Sequence, residues 1–389
     1  MNKRENNLKL NYVGLWLTVF IFLFSANEIL ARPKLIPKTP SIAAKSYIMV
    51  DYDSGKILAS ENADEQVEPA SITKLMTAYV IFDELSQGNI SLSDEVTISK
   101  KAWQTQGSRM FIRVNSKVSV ELLLQGMIIQ SGNDASVALA EYVAGSEGAF
   151  AALMNQHALS LGMKNTHFVN STGLPDEQHL TTAKDLAKLA AALIRRFPEY
   201  YKWYSVKSFK YNKINQFNRN KLLWRDKTVD GMKTGYTKNA GYCLVASSKR
   251  DNMRLITIVL GTKSASARAQ ESQKLLNFGF RFYETHELYK AGVSVKQIDI
   301  YKGQQDKLDI GLINPLYITI PRGDYKNLKP IVNVQDRILA PMAKGQELGN
   351  ISIQLGETLI KKVPLVSLND VPEGSFFKRL KDSILLLFK

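Results

Sequence analysis

The sequence predicts an α+β protein: one antiparallel sheet covered by helices, then a small all-β domain, then an amphipathic C-terminal helix. Three observations carry this reading. Strand-like runs stand at both ends of the long first part of the chain, with helical patterns between them. From Val295 the texture changes to short alternating runs separated by Gly, Pro, Asn and Asp turns. The last stretch, residues 371–389 (VPEGSFFKRLKDSILLLFK), sets bulky apolar residues and lysines at helical spacing.

Taken in chain order, the elements begin with a segment that belongs to targeting rather than to the fold. Lys3, Arg4 and Lys9 precede an apolar run of 14 residues, 13–26 (VGLWLTVFIFLFSA). Such a run is short for a bilayer span and suits the core of an export signal, so the protein is expected to work outside the cytoplasm. Cleavage is expected after Ala31, although Ile29 stands where a small residue is preferred; the alternative is an uncleaved anchor. Next, residues 47–62 (YIMVDYDSGKILASEN) read as two short strands around an Asp53-Ser54-Gly55 turn. Helical patterns follow at 71–85, 120–143 and 182–194. GYCLVASSKR and MRLITIVLGT are apolar runs joined through Asp251-Asn252, a hairpin signal, and helical periodicity returns over 267–288. The runs PLYITI, PIVNVQD, ISIQLG and KKVPLVSL make the small β domain. The expected division is therefore 1–31, signal; 32–294, main domain; 295–370, all-β domain; 371–389, tail helix. No internal repeat or low-complexity tract interrupts it.

Composition narrows the partners. At 389 residues with 45% apolar side chains the chain has enough material for a large core and two domains. Lys plus Arg number 51 against 36 acids, a formal charge of +15. That excess suits nucleic acid, an anionic membrane surface or an acidic substrate. No zinc-ligand cluster, basic helix or aromatic RNA-binding signature favours nucleic acid, so no nucleic-acid partner is expected. The single cysteine, Cys243, excludes an intramolecular disulfide. His157, His167, His179 and His286 lack metal-ligand spacing and read as surface or satisfied core residues. Neither a metal nor a cofactor is expected.

Three short patterns carry chemistry together. In Ser71-Ile72-Thr73-Lys74, a serine at the start of a helix has a lysine three residues on, which brings hydroxyl and amine to one face. A serine hydroxyl is a weak nucleophile and needs a base, and a lysine is one only if burial or a second cation lowers its pKa. Ser131-Gly132-Asn133 follows the apolar run ELLLQGMIIQ; its hydroxyl suits proton relay and its amide suits a substrate carbonyl. Lys233-Thr234-Gly235 offers a cation and a hydroxyl for a substrate carboxylate, and a glycine that leaves room along the strand. Lys233 is also the second cation expected to depress Lys74. Each pattern is weak alone. Ser375-Phe376-Phe377-Lys378 repeats the first, while Ser25-Ala26-Asn27 and Ser367-Leu368-Asn369 repeat the second. The weight lies in all three occurring in order, 60 and then 102 residues apart, each on a suitable element.

That conjunction resembles the motif set of penicillin-binding proteins and class A β-lactamases. Longer stretches, among them EPASITKLMTAYVIFDEL, LLLQGMIIQSGNDASVALAE, VDGMKTGYTKNAGYCLVAS and PEGSFF, are similar to the low-molecular-mass penicillin-binding proteins of the D-Ala-D-Ala carboxypeptidase family. The resemblance covers essentially everything after the signal. It implies a β-lactamase/transpeptidase-like main domain and a serine peptidase that removes the terminal D-alanine from peptidoglycan pentapeptide stems, with β-lactams as covalent inhibitors. By resemblance Ser71 is the acyl-enzyme nucleophile, Lys74 its general base, and Ser131 and Asn133 serve relay and positioning. Lys233, Thr234 and Gly235 would receive the terminal carboxylate, with Arg268 adding charge. The backbone N–H groups of Ser71 and Tyr236 would form the oxyanion hole. One departure is visible: Tyr236 stands where some relatives carry histidine, so no imidazole role transfers there.

The resemblance leaves rivals. A β-lactamase would deacylate through a glutamate in an E-x-x-L-N pattern; Glu177-Gln178-His179-Leu180-Thr181 comes near it but carries Thr181, and Glu177 reads as a loop residue. A D,D-endopeptidase shares the motifs, and a non-catalytic wall-binding scaffold need not keep Ser71, Lys74, Ser131 and Lys233. Arg219 is open between a cation at the site's edge and buried pairing. In the tail, Phe376, Phe377, Leu380, Ile384, Leu387 and Phe388 share one helical face, away from Lys378, Lys381 and Asp382. Too short and charged to span, the tail is expected to lie in a membrane interface, which puts the protein at the periplasmic face of the bacterial inner membrane. The alternative is a helix packed on its own protein.

Overall fold

The structure, a computed structural model, describes residues 36–388. The expected signal segment and Ser25-Ala26-Asn27 lie outside the described residues. Strands β1 (Ser46–Asp51) and β2 (Ile57–Glu61) form the first hairpin. A tight turn, Ala70–Thr73, leads straight into helix α1 (Lys74–Ser86). Ten consecutive residues of α1, from Lys74 to Asp83, are buried, so it is the central helix of a cluster rather than an amphipathic cover. A short hairpin, β3 (Glu95–Thr97) with β4 (Lys117–Ser119), precedes helices α2 (Val120–Gln125), α3 (Asn133–Ala144), α4 (Glu147–Ser160) and α5 (Ala183–Arg196).

The helix expected over 120–143 is broken. After α2 the chain winds through a wider turn, Gly126–Gln130, and Ser131 then takes a left-handed backbone at φ +67°. A helix cannot continue through that conformation, and Asn133 restarts it as α3. The chemistry-bearing residues therefore sit at a helix junction, where the backbone turns their side chains aside. The helix expected over 182–194 forms as α5, opened by Thr182, whose hydroxyl accepts from the Asp185 amide.

Hairpin β5 (Ser208–Tyr211) with β6 (Ile214–Phe217) precedes the strands β7 (Val229–Thr237), β8 (Gly241–Arg250) and β9 (Met253–Thr262). The main sheet has the order β2-β1-β9-β8-β7, antiparallel throughout. Strands β8 and β9 are buried at consecutive positions, which requires cover on both faces. Helix α5 packs against β1 and β9, and helix α6 (Ala265–Phe282) against β8 and β9. The periodicity expected to remain helical through 288 ends at Phe282. Tyr283 and Thr285 then point inward and Glu284 and His286 lie less buried, a period of two that forms strand β10 (Tyr283–Tyr289).

The remaining strands are β11 (Ser294–Asp299), β12 (Lys307–Gly311), β13 (Leu316–Pro321), β14 (Leu328–Val334), β15 (Glu347–Leu355) and β16 (Thr358–Ser367). They make a five-stranded sheet, β11-β12-β16-β15-β14, while β10 pairs with β13. Their core, built on Leu308, Ile310, Ile318, Ile351 and Leu365, is separate from that of the main domain. A buried polar junction joins the two. The Asp51 carboxylate accepts from the Ser54 amide (2.8 Å), the Ser54 hydroxyl (2.7 Å) and the Thr285 hydroxyl (2.7 Å). Thr319 closes the ring with Thr285 (2.9 Å) and Ser54 (2.6 Å).

The tail forms helix α7 (Phe376–Leu385), capped by Ser375, and it is tied down by its polar side. Asp382 is buried and accepts from the Lys302 amide (2.6 Å) and from Lys378 Nζ (2.8 Å). The Gly374 amide donates to Lys302 O (2.7 Å), and Lys378 also reaches Asp306. Phe376, Phe377, Leu380, Ile384, Leu387 and Phe388 remain exposed, from 51% to 85%. Among the described residues no single helix is long and apolar enough to cross a membrane.

Candidate active site

Ser71 lies in the tight turn just before α1, so its hydroxyl and Lys74, the first residue of that helix, emerge together. The turn is held in an uncommon shape: Ala70, next to the serine, has φ +47°. Lys74 Nζ donates to Ser71 Oγ (3.1 Å), to Asn133 Oδ1 (2.6 Å) and to the Thr172 carbonyl (2.6 Å). Only 1% of Lys74 is exposed, and burial lowers its pKa to about 7; Arg219 pulls the same way, against Asp134 and Glu147. Near neutrality a large share of Lys74 is therefore an amine, whose lone pair can take the serine proton.

Lys233, on the buried part of β7, donates to Ser131 Oγ (2.9 Å) and to Thr234 O (3.1 Å). Its pKa is held well below the usual lysine value, first by burial and then by Lys74, Arg219 and Arg268. Burial is the largest cause for both lysines. Asn133 is engaged at both ends, since its Nδ2 donates to Gln106 O (2.6 Å) while Oδ1 receives Lys74.

These side chains converge on one cavity of about 690 Å³, lined by Ser71, Ser131, Asn133, Thr234, Gly235, Tyr236 and Arg268. Arg268 donates through Nη1 to Gly235 O (2.9 Å) and Cys243 O (3.4 Å), which pins it beside β7; burial lowers its pKa to about 10. Gly235 has a different neighbour from the one expected. A Cβ there would sit 3.0 Å from Pro69 O and 3.2 Å from Ala70 Cβ, so the missing side chain lets β7 close on the serine turn. Arg219 lines the cavity as an exposed cation at its edge, bonded to Ser108 Oγ (2.8 Å) and Gln130 O (3.3 Å), and is not in buried pairing. Tyr236 is more than half exposed and stacks on Tyr242, with ring centroids 4.2 Å apart.

The repeats of the motifs are placed elsewhere. Ser375 is the N-cap of α7, accepting from the Lys378 amide, and the Ser367 hydroxyl donates to the Asn369 carbonyl. Glu177 is an exposed loop residue.

Two contributors escaped the reading of the sequence. Asp134, fully buried, accepts from the amides of Met110, Phe111, Ile112 and Ala135 and so anchors the cavity wall to the start of α3. An acid in the first turn of a helix is the signal that marked it. The second is the Ser171–Gly173 segment, whose Thr172 carbonyl holds Lys74. Gly173 has φ +81°, and a Cβ on it would overlap the Ala70 carbonyl oxygen.

With this geometry in view, comparison with known proteins is decisive. The profile described as D-alanyl-D-alanine carboxypeptidase matches residues 34–264, more than half of the chain. The chain belongs to the D-alanyl-D-alanine carboxypeptidase family. It is a serine peptidase of that family, and its second domain, residues 283–373, matches the C-terminal domain of penicillin-binding protein 5. D-alanyl-D-alanine carboxypeptidase DacA of Escherichia coli K12 is 43% identical over 380 residues, 95% of this chain and 94% of that protein. Carboxypeptidase DacC of the same strain is 44% identical over 379 residues, again 95% and 94%. The solved penicillin binding protein 5 of Haemophilus influenzae superposes with a TM-score of 0.84 at 42% identity, over 87% of this chain and all of that one.

Proposed function

We propose that this D-alanyl-D-alanine carboxypeptidase removes the terminal D-alanine of peptidoglycan stem peptides through an acyl-enzyme on Ser71. The observation that carries the assignment is the buried Lys74, 3.1 Å from Ser71 Oγ and with its pKa lowered to about 7. In this reading the Lys74 amine takes the serine proton as Oγ bonds to the carbonyl carbon of the penultimate D-alanine. Ser131, bonded to Lys233, passes a proton to the departing D-alanine nitrogen. Lys233, Thr234 and Arg268 attract the substrate's terminal carboxylate, and Asn133 orients the acyl part. The N–H groups of Ser71 and Tyr236 face the developing oxyanion. Water then releases the shortened peptide, and the serine proton is restored.

Mass spectrometry of the protein with a peptide ending in D-Ala-D-Ala reports both the acyl-enzyme and the product. A β-lactam should leave a stable adduct on Ser71, absent from Ser71→Ala and unchanged in Ser375→Ala. A labelled Ser71→Ala protein sinks the assignment. Glu177 supports no β-lactamase reading, being exposed and away from the cavity lining. Deacylation of the penicilloyl enzyme should accordingly be slow and indifferent to Glu177→Gln; rapid turnover lost in that variant would make the protein a β-lactamase. A D,D-endopeptidase activity on cross-links uses the same machinery, and product analysis on a cross-linked dimer separates it.

We also infer a peripheral place on the periplasmic face of the inner membrane, with residues 1–31 as signal and α7 as the attachment. The support is the tail's exposed apolar face, turned away from a polar side that is already satisfied. Burying four or five such side chains contributes about 1.5–3 kcal/mol each, gross, and each lysine near anionic lipid roughly 1 kcal/mol. A truncation that tests this belongs after Gly374, because Val371 is a buried residue of the β domain. Removal of residues 375–389 should release the enzyme from anionic vesicles with its constants for a small D-Ala-D-Ala peptide little changed. High salt alone should release it only partly, since salt screens charge and leaves apolar burial. Equal flotation of truncated and full-length proteins would show that the attachment lies elsewhere.

A further inference from the structure

His179 is 1% exposed and lies against the catalytic turn, although it falls in none of the three motifs. Its Nδ1 accepts from the Val169 amide (3.1 Å), and its Nε2 meets Thr73 Oγ1 (2.8 Å). A backbone N–H only donates, so Nδ1 carries the lone pair and the ring proton sits on Nε2, donating to Thr73. Burial lowers the His179 pKa to about 4, with Asp176 and Glu68 opposing and His167 and Lys74 assisting, so this one neutral tautomer persists at working pH. The edge of the ring meets Phe168 at 73°, which leaves it little freedom to turn.

The two partners of the ring belong to the two walls around Lys74. Thr73 is the residue before Lys74 in the serine turn, and its hydroxyl is fully buried. Val169 opens the segment that reaches Thr172, whose carbonyl receives Lys74 Nζ at 2.6 Å. One imidazole therefore spans the seam between the turn that carries Ser71 and the segment that holds the lysine.

We propose that His179 is a positioning residue: a neutral clamp between Thr73 and Val169 that keeps Lys74 dry and aimed at Ser71 Oγ. The proposal rests on the Ser71–Lys74 reading of the site. Without the clamp the Thr172 carbonyl moves away from Lys74 and water enters between them. The groups facing Lys74 are Asp134, Glu147, Arg219 and Lys233. None of these changes when His179 is replaced, so weaker burial is left to raise the lysine pKa.

The test is the rate of acylation by a chromogenic cephalosporin as a function of pH. His179→Leu fills the space without either hydrogen bond. It should slow acylation by roughly 10²-fold, the scale of an ångström's misplacement, and move the acid limb to higher pH. In His179→Gln the amide N and O stand 1,3 to each other, as the ring nitrogens do, so it should restore most of the rate and the original limb. Thr73→Val removes the other end of the link. It should reproduce the leucine variant, and the double variant should be no worse than either single one. If His179→Leu does not fold, Thr73→Val, which keeps the volume, carries the same test. Wild-type rate and limb in the leucine or valine variant would overturn the clamp. So would equal losses in leucine and glutamine with an unmoved limb, which is the mark of a packing role alone. The Ser71→Ala labelling experiment separates failure of the clamp from failure of the underlying assignment.

Discussion

Lys74→Arg should all but abolish acylation, on the order of 10²–10⁴-fold, the contribution typical of a positioned proton acceptor. The substitution keeps a cation near Ser71 but cannot supply a base, because guanidinium stays protonated in proteins. In the wild-type enzyme the same group sets an acid limb. The burial-lowered lysine is an amine above about pH 7 and an ammonium below it, so acylation should fall as pH drops through that value. Acylation by a β-lactam, followed by stopped flow from pH 5 to pH 9, reads both effects. An arginine variant that acylates at near the wild-type rate would exclude Lys74 as the base. A limb near the ordinary lysine value would show instead that the site is wet.

Gly173→Ala should be nearly as damaging, though the residue takes no part in the chemistry. Two costs coincide there. The left-handed backbone at φ +81° disfavours alanine by about 1–2 kcal/mol. The new methyl would also overlap the Ala70 carbonyl oxygen and stand 2.8 Å from Thr73 Oγ1. A backbone carbonyl in the serine turn has no free end to swing aside, so the turn and the Thr172 segment must separate. Acylation is then expected to fall by about 10²-fold or more, with the acid limb raised, while the cores of both domains remain intact. Gly145→Ala is the control, since a Cβ there meets nothing within 4 Å although its φ of +74° is similar. If both variants lose activity alike, backbone strain is the whole effect and the contact with the turn is irrelevant.

What the sequence made legible follows from the physics of each signal. Periodicity located the two strands of the first hairpin, the long hairpin β8–β9 and the helices α5 and α6, because each is regular over several residues. It failed at 120–143, where apolar spacing runs on through Ser131. Hydrophobic pattern records which residues are buried, whereas the break is written in one backbone dihedral. It also failed at 283–289, where helix α6 passes into a strand without a turn residue between them. The three motifs pointed to Ser71, Lys74, Ser131, Asn133, Lys233, Thr234 and Gly235; the fold lines one cavity with five of them and sets Lys74 and Lys233 behind it, bonded to Ser71 and Ser131. The lowered pKa of Lys74 was expected from burial or a neighbouring cation, and burial is its largest cause, whose extent no local pattern displays. Thr172 holds Lys74 through its backbone carbonyl, and a backbone acceptor leaves no residue signature; Asp134 left only the weak sign of an acid in a helix's first turn.

The tail's polar docking has a consequence for reach. Asp382 ties α7 to the Lys302 amide, and the ring of Asp51, Ser54, Thr285 and Thr319 ties the β domain to the main one. Each link between the outward apolar face and Ser71 is thus a short, buried bond rather than a length of free chain. An enzyme held to a bilayer by a flexible leash samples a filled hemisphere, and its effective concentration thins as the leash lengthens. One held through stiff joints samples a thin shell at a fixed standoff. If α7 is the attachment, as proposed, stem peptides at that height would meet the catalytic cleft at high local concentration, and those nearer or farther would scarcely meet it at all.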